Sequence, residues 1–510
     1  MRPRSLFVSC STIAWLCACS VEGGGPAGTP DAATPEWTVD GAPSPSVDGN
    51  TTDAGQAAEA GGNCDAAAAD PPDDQGLDEN CDGADGIVGT DVYVDGTAGS
   101  DTNVGSPDKP FQSIGAALER AQTRDAVVLL RAGNYEASTL LDVAGTWSVY
   151  GGYGKGFVGA PKRDVTVLKA DSTGLFLSKA ERVRFAHLTI QGAPASPMTG
   201  PTAHGLRLSV SEAMLDDVVV SAGDGRAGDA GKVGEPGKES LPTSSPGSSV
   251  KCDDVALPQY AIGVTTDMAN GSSQPGNFAK SLAAQPGGAG NDGTGGADAP
   301  SGPVVTNGLI VGLSASPGQS NGIGGWGGPG GGSGTIMGGT YNGSYFWGGR
   351  GGDGGCPGRG GTGGQSGGSS VAVLVLGGKL TVARSLFVTG FAGNGGEGGA
   401  GGPGGPGKLG DKPNTFSSIP FVDPPCTPDT DVTRHNCAGY GGTGGPGGKG
   451  GHGGGGGGGW TIGIAIASGA VATIDALTQY KLGATGAGGM GGLNLGPDGQ
   501  RRSTYQVPKM

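Results

Sequence analysis

The stretch AVVLLRAGNYE at residues 126–136 decides the fold class of this 510-residue chain. Its first five residues are all apolar and predict a buried strand, and the Gly-Asn pair that follows predicts a turn. The segment WSVYGGY at residues 147–153 repeats this arrangement. Short apolar strands continue to recur along the chain with Gly or Asn between them, so the pattern predicts an all-β protein.

The strand pattern returns at a regular spacing. The segments GLFLS at 174–178 and GLRLS at 205–209 start 31 residues apart, since 205 − 174 = 31, and similar apolar runs start at Val371 and Ile462. Units of this size, each supplying two or three strands, are typical of a solenoid whose coils stack about 4.8 Å apart. An antiparallel sandwich is the alternative, and it requires hairpin turns at shorter spacing.

The region from about residue 91 to 190 resembles right-handed parallel β-helix proteins of the pectin-lyase-like superfamily. The residues that carry the resemblance are YVD at 93–95, GSD at 99–101, PF at 110–111, Ile114, Ala117, Leu118 and GNY at 133–135. The resemblance implies a right-handed parallel β-helix with a short helix capping its first end. The helix is also predicted by the residues themselves, because Ile114, Ala117, Leu118 and Ala121 have helical spacing.

Glycine supplies 113 of the 510 residues, about 22 % against roughly 7 % in ordinary proteins. This excludes coiled coils, helical repeats and conventional α/β enzymes, because Gly costs roughly 1 kcal/mol in a helix interior. Gly-rich tracts follow strands ending near Val220, Val388 and Leu482, so they are expected on one side of the solenoid. Their Gly-Gly-x period suits a helix with three residues per turn. The tracts are predicted either as a lateral bundle of polyglycine-II helices or as flexible loops.

The N-terminus has the features of an export signal. Arg2 and Arg4 precede a mostly apolar stretch at residues 6–16 that is too short to span a bilayer. The segment LCAC at 16–19 resembles a bacterial lipobox, which implies lipidation of Cys19, and Ser20 implies routing to the outer membrane. The alternative is an ordinary signal peptide cleaved nearby. Cleavage before Cys19 leaves 31 − 2 = 29 basic against 46 acidic residues, a charge of −17 that excludes a nucleic-acid partner.

An acidic motif lies between a Gly/Pro/Ala-rich tether and the strands. Asp78, Asn80 and Asp82 occupy alternate positions before Gly83, as in the first half of an EF-hand loop, although Gly89 stands where that loop has its Glu. The motif also resembles a short Asp/Cys-rich metal-binding repeat of bacterial surface proteins. Calcium or another divalent cation is therefore predicted at Asp78, Asn80, Asp82 and Asp85. The alternative is a metal-free acidic turn stapled by a disulfide.

Six of the nine cysteines remain after Cys10, Cys17 and the lipidated Cys19 are set aside. An even number in an oxidising compartment indicates disulfides. Their order along the chain favours the pairs Cys64–Cys81, Cys426–Cys437 and Cys252–Cys356. A structural zinc site is disfavoured, because no CxxC pair is present.

No catalytic residue is predicted. Lys179, Arg182 and Arg184 lie on one expected coil, and Arg207 and the pair Asp216–Asp217 lie on the next, so neighbouring coils bring these charges together. A solvated face is the ordinary explanation of such charges. His187, His204, His435 and His452 belong to no recognisable catalytic motif.

The predicted organisation has eight segments. They are a lipoprotein signal peptide (1–18), a disordered tether (19–72), the acidic motif (73–90), the β-helix cap and first coils (91–220), a Gly-rich insertion (221–370), one coil (371–392), a second Gly-rich insertion (393–459), and the last coil with the tail (460–510). The expected function is that of a lipid-anchored outer-membrane or cell-surface protein, serving in adhesion, carbohydrate binding or envelope structure. Its expected partners are the membrane, polysaccharide or another surface protein. A carbohydrate-active β-helix enzyme is the alternative.

Overall fold

The computed structural model describes residues 69–122, 126–140, 143–238, 288–317, 354–409, 443–492 and 494–508, and two short strands at 334–335 and 345–346. All of these belong to the compact unit Gly62–Met510. The predicted signal peptide, Cys19 and most of the predicted tether lie outside the described residues.

Nearly all regular structure in the described residues is β. In chain order the strands are β1 (Val92–Val94), β2 (Val128–Arg131), β3 (Gly133–Glu136), β4 (Gly145–Tyr153), β5 (Thr166–Ala170), β6 (Leu175–Leu177), β7 (Ala180–Ala186), β8 (Thr189–Gly192), β9 (Ala203–Asp216), β10 (Val219–Ala222), β11 (Val304–Thr306), β12 (Leu309–Val311), β13 (Gly334–Thr335), β14 (Tyr345–Phe346), β15 (Ser370–Ala383), β16 (Leu386–Thr389), β17 (Thr461–Ala467), β18 (Val471–Ile474), β19 (Gln479–Lys481), β20 (Met490–Gly491), β21 (Asn494–Leu495) and β22 (Arg501–Val507). The helical segments are α1 (Ile114–Gln122) and a 3₁₀ turn (Ala137–Leu140).

Two large sheets contain most of these strands. A ten-stranded sheet has the order β1-β2-β4-β7-β9-β15-β17-β22, with β6 beside β9 and β18 beside β15. A six-stranded sheet has the order β19-β16-β10-β8-β5-β3. The recorded pairings within both sheets are parallel. The chain passes back and forth between the two sheets from β2 to β22.

The prediction of an all-β fold is confirmed, and the alternative prediction of an antiparallel sandwich is wrong. Leu175 pairs with Leu206, so the 31-residue interval seen in the sequence is the offset between neighbouring parallel strands. Antiparallel pairing in the described part of the chain is confined to short pairs such as β11–β12. The described strands fall into the two large parallel sheets and three two-stranded sheets, and they show no closed solenoid.

Apolar side chains from both sheets meet in one core. Val149 and Phe185 from the ten-stranded sheet pack in the same cluster as Ile190, Val220 and Phe387 from the six-stranded sheet, and all five are fully buried. Burying side chains of this size stabilises a fold by roughly 1.5–3 kcal/mol each. The alternating burial along these short strands places every second side chain in the core, as the pleat of a strand requires.

Helix α1 packs on the first strands of this core. Ile114, Ala117, Leu118 and Ala121 are buried, as their spacing predicts, and they join the core cluster near β1 and β2. The Asp101 carboxylate accepts hydrogen bonds from the backbone N–H groups of Gln112 and Ser113 just before the helix. The helix is short, so packing of its apolar face supplies most of its stability.

The glycine tracts lie side by side and are joined by backbone hydrogen bonds. Tract 223–238 follows β10, tract 390–409 follows β16, and tract 483–489 follows β19, while tracts 354–368 and 443–459 lead into β15 and β17. Between tracts 354–368 and 390–409 the N–H donors are Gly393, Gly396, Gly399, Gly402 and Gly405, at 2.7–2.9 Å from the carbonyl oxygens of Gly368, Gln365, Thr362, Arg359 and Cys356. These bonds recur at every third residue.

Tract 390–409 is bonded on further sides in the same register. Gly399 accepts a bond from Gly453 of tract 443–459, and the Glu397 carbonyl accepts one from Gly231 of tract 223–238. Gly398 donates to Met490 next to tract 483–489. Neighbouring tracts therefore share one three-residue period. The described parts of the insertions form a second hydrogen-bonded layer next to the sheets, called here the glycine layer.

Candidate functional site

The acidic segment folds as a chain of turns against the body. The Asp73 carboxylate accepts hydrogen bonds from the N–H groups of Gln75 and Gly76 at 2.6 and 2.7 Å. Gly76 in turn accepts a backbone bond from Gly159, and a Cβ on Gly76 would lie only 2.3 Å from the Gly159 oxygen. The segment is therefore held against the 154–162 loop by a contact that only glycine permits.

The predicted cation ligands Asp78, Asn80 and Asp82 lie in one tight turn. The two Asp78 carboxylate oxygens accept the N–H groups of Asp82 and Gly83, both at 2.9 Å. The Asn80 side-chain oxygen accepts the same Asp82 N–H at 2.9 Å, and Asp82 accepts the Val88 N–H at 2.7 Å. Turns of this kind aim several side-chain oxygens at one region, which is the arrangement a hard cation requires.

Asp70 joins this turn. One carboxylate oxygen from each of Asp70, Asp78 and Asp82 lies within 4.8 Å of the others. Asp70 is fully buried, and neither of its side-chain oxygens has a hydrogen-bond partner among the residues that the structure describes. Burial raises the pKa of Asp70 to about 6 against the opposing effect of the Glu79 backbone N–H, and the charges of Asp78, Glu79 and Asp82 raise it further. Asp70 was not predicted as a ligand, because composition assigned residues 19–72 to the tether.

Asp85 lies elsewhere in the fold. Its carboxylate accepts a hydrogen bond from the Tyr153 hydroxyl at 2.7 Å, beside the buried aromatic rings of Tyr93 and Phe157. Burial raises the pKa of Asp85 to about 7. Asp85 thus ties the acidic segment to β4, and it is not among the carboxylates that converge at Asp70.

A charged cluster joins the acidic segment to the corner between the two sheets. Asp74 accepts hydrogen bonds from both terminal nitrogens of Arg384 and lies 3.2 Å from Nε2 of His187. The other ring nitrogen of His187 lies 3.1 Å from Asp217. Arg384 also donates to Asp216 at 2.7 Å. The hydrogen bond from Arg384 is the main cause that lowers the pKa of Asp74.

This corner repeats from strand to strand. His187, Asp217 and Arg384 each have φ near +50°, and each stands between a strand of the ten-stranded sheet and a strand of the six-stranded sheet. Non-glycine residues seldom adopt this conformation. Their stacking explains why residues 30 and 167 positions apart in the chain form one ionic cluster.

The outer face of the ten-stranded sheet carries a groove of about 310 Å³. Parallel pairing aligns Ser148 with Arg184 and Arg184 with Met214 across three strands, and Arg182 with Glu212 beside them. The groove is lined by Thr146, Trp147, Ser148, Arg182, Val183, Arg184, Glu212, Met214 and Thr381.

Both arginines of this groove face carboxylates. Arg182 lies 3.6 Å from Glu212, and Arg184 lies 3.2 Å from Asp216. The Arg184 guanidinium also stacks over the Tyr150 ring at 5.0 Å. The expected convergence of Arg184 with the acids of the next coil is therefore observed, and it takes the form of ion pairs.

The remaining candidate residues that the structure describes lie away from this face of the ten-stranded sheet. His204 is fully buried, its Nε2 accepts the Ile310 N–H at 3.4 Å, and burial lowers its pKa to about 3. Arg207 lies beneath the β11–β12 hairpin, donates to the Gly308 carbonyl at 3.1 Å and stacks on Phe176. These two residues hold the hairpin against the sheet. His452 lies in the glycine layer, and His435 lies outside the described residues.

Two of the six candidate cysteines are described, and both Cys81 and Cys356 are disulfide-bonded. Cys64, Cys252, Cys426 and Cys437 lie outside the described residues, so the three pairings stay predictions.

Comparison with known proteins identifies no relative. No family model, no curated protein and no solved structure matches the chain. Among the residues that the structure describes, no helix has the length and apolar character needed to cross a membrane.

Proposed function

We propose that this chain is an exported, lipid-anchored surface protein that binds polysaccharide without cleaving it, as part of adhesion or of envelope structure. Its body is proposed to be a right-handed parallel β-helix beside a bundle of polyglycine-II helices. The alternation of the chain between two parallel sheets and the three-residue hydrogen-bond period between glycine tracts support this architecture. Lipidation at Cys19 and routing to the outer membrane rest on the N-terminal sequence alone.

The observation that carries the binding proposal is the aligned polar face of the ten-stranded sheet. Hydroxyl groups of Thr146, Ser148 and Thr381 stand beside the Arg182–Glu212 pair in one groove. Hydroxyls and guanidinium groups donate hydrogen bonds to sugar hydroxyls, and parallel strands repeat such donors along the groove. Because both arginines are paired with carboxylates, neither is available as a free base for proton abstraction.

A carbohydrate-active enzyme is the second candidate. It is favoured by the contacts of the groove residue Arg184, because Arg184 and Arg384 both contact Asp216, at 3.2 and 2.7 Å. Acid–base chemistry on a sugar requires at least one group that can donate a proton and one that can accept it, and a basic residue next to a carboxylate can supply such a pair.

A polysaccharide screen with the mature chain distinguishes the two. Retention on insoluble polysaccharide and release of soluble product are scored together for wild type, Arg182→Gln and the control Lys155→Gln, which changes an exposed lysine away from the face. Binding without product that weakens several-fold in R182Q, and not in K155Q, is the expected result. Product release that Arg184→Gln abolishes would establish the enzyme instead, and the absence of both retention and product on every polysaccharide would refute both candidates.

A further inference from the structure

Asp70 is a buried carboxylate without a cationic partner among the described residues. It is fully buried, and neither of its side-chain oxygens makes a hydrogen bond within the described part of the chain. Burying an ionised carboxylate without compensation is strongly unfavourable, so buried charges are ordinarily paired or bound to a metal ion. No cation from the described residues is paired with it.

The neighbours of Asp70 are themselves acidic. One oxygen each from Asp70, Asp78 and Asp82 lies within 4.8 Å of the other two. Calcium binds oxygen ligands at about 2.3–2.6 Å, so two ligands of one ion are at most about 5 Å apart. Three carboxylates at this separation repel one another, and a cation placed among them removes that repulsion.

We propose that Asp70, Asp78 and Asp82 bind one divalent cation, calcium before other ions, and that Asp70 supplies the ligand that the motif assigns to Asp85. All three donors are carboxylate oxygens, which are the ligands of calcium, whereas structural zinc sites are built from cysteine and histidine. The two sides of the site are fixed differently. Asp78 and Asp82 are held by backbone N–H groups of their own turn, whereas Asp70 enters from the residues before Pro71.

The cation would therefore close a ring in the chain. It connects residue 70 with the 78–83 turn, and that turn is already held against the body through Gly76, Asp74 and Asp85. Cation binding fixes the position at which the preceding segment meets the folded body. This role is independent of polysaccharide binding on the sheet face.

Calorimetric titration of the full mature chain with calcium chloride tests the proposal. Wild type, Asp70→Asn, Asp85→Asn and Glu119→Gln are compared, with Glu119 an exposed acid of α1 that serves as the control. We expect D70N to weaken calcium binding at least tenfold, and D85N and E119Q to bind as the wild type does. Calcium should also raise the melting temperature of the wild type and leave that of D70N unchanged.

Three results would overturn the proposal. These are the absence of calcium binding in the wild type, unchanged binding in D70N, and a loss in D85N that D70N does not share. Asp82→Asn, at an exposed position, is the second variant if D70N does not fold, and it should lose calcium binding too. Failure here leaves the polysaccharide screen unaffected, because Arg182 and its groove share no residue with the cation site.

Discussion

Replacing Gly361 by alanine should damage the glycine layer far more than the added methyl group suggests. Gly361 lies in the middle of tract 354–368, and a Cβ there would be 2.0 Å from the backbone oxygen of Gly399. Ordinary contact begins at 3.4 Å, so tract 390–409 must retreat by 3.4 − 2.0 = 1.4 Å. The clashing atoms belong to backbone, and no side chain can rotate away to relieve the contact.

The expected magnitude follows from the bonds on either side. Gly399 and Gly402 donate to Thr362 and Arg359 at 2.8 Å, and a retreat of this size stretches both bonds beyond hydrogen-bonding distance. Two lost bonds at about 1 kcal/mol each, with about 1–3 kcal/mol for overpacking, give a destabilisation of about 3–5 kcal/mol for this layer.

Amide hydrogen exchange across residues 354–368, with calorimetric melting, measures the effect. The matched control is Gly154→Ala, which makes the same change where no atom lies within 4 Å of the new Cβ. We expect faster exchange and a lower melting temperature in G361A, and wild-type behaviour in G154A. If G361A and G154A exchange and melt alike, the close packing of the tracts is refuted.

Three further predictions concern titrating groups. Because Arg384 lowers the pKa of Asp74, the stabilisation by Asp74 is present above its unfolded pKa and is lost as the pH falls below about 4. Limited proteolysis of residues 69–91 should therefore accelerate below about pH 4, and in Asp74→Asn it should already be faster at pH 7. His204 is neutral in the fold with a pKa of about 3, so stability should fall as the pH drops from about 6.5 towards 3, by up to about 1.4 kcal/mol per pH unit, and His204→Gln should flatten this slope in thermal melts. Asp85 has a pKa raised to about 7, so its contribution has the opposite sign and is lost as the pH rises from about 4 to 7; Asp85→Asn should match or exceed the wild-type melting temperature at pH 8.

The sequence predicted the helix, several strands and the repeat interval, because each of these follows from a local pattern of residues. The α1 face and the strands around residues 128 and 149 follow from apolar spacing, and the 31-residue interval gave the offset of neighbouring strands. The three-residue glycine period likewise reappears as a hydrogen-bond period. Each of these signals lies within a few residues or repeats at a fixed interval.

The proposed cation site and the sheet corner depend on contacts between distant residues. Asp85 is three positions from Asp82, but Tyr153, 68 residues later, takes up its carboxylate. The residues around Asp70 have the composition of a tether, so no local pattern predicts that Asp70 is buried. The only feature that sets Asp70 apart in the sequence is its position directly before Pro71. Arg207 and His204 are buried by a hairpin about a hundred residues away in the chain.

The shared hydrogen-bond period of the glycine tracts limits how the chain can change in length. Along tract 390–409, the residues that bond to any one neighbouring tract are three positions apart. The four tracts that adjoin it have the same three-residue spacing. Inserting or deleting one or two residues in such a tract would put side chains where glycines now meet backbone. Insertions and deletions of three residues, or nine nucleotides, keep glycine at the positions that meet the backbone of neighbouring tracts. Length variants of this protein should therefore differ within these tracts by multiples of three.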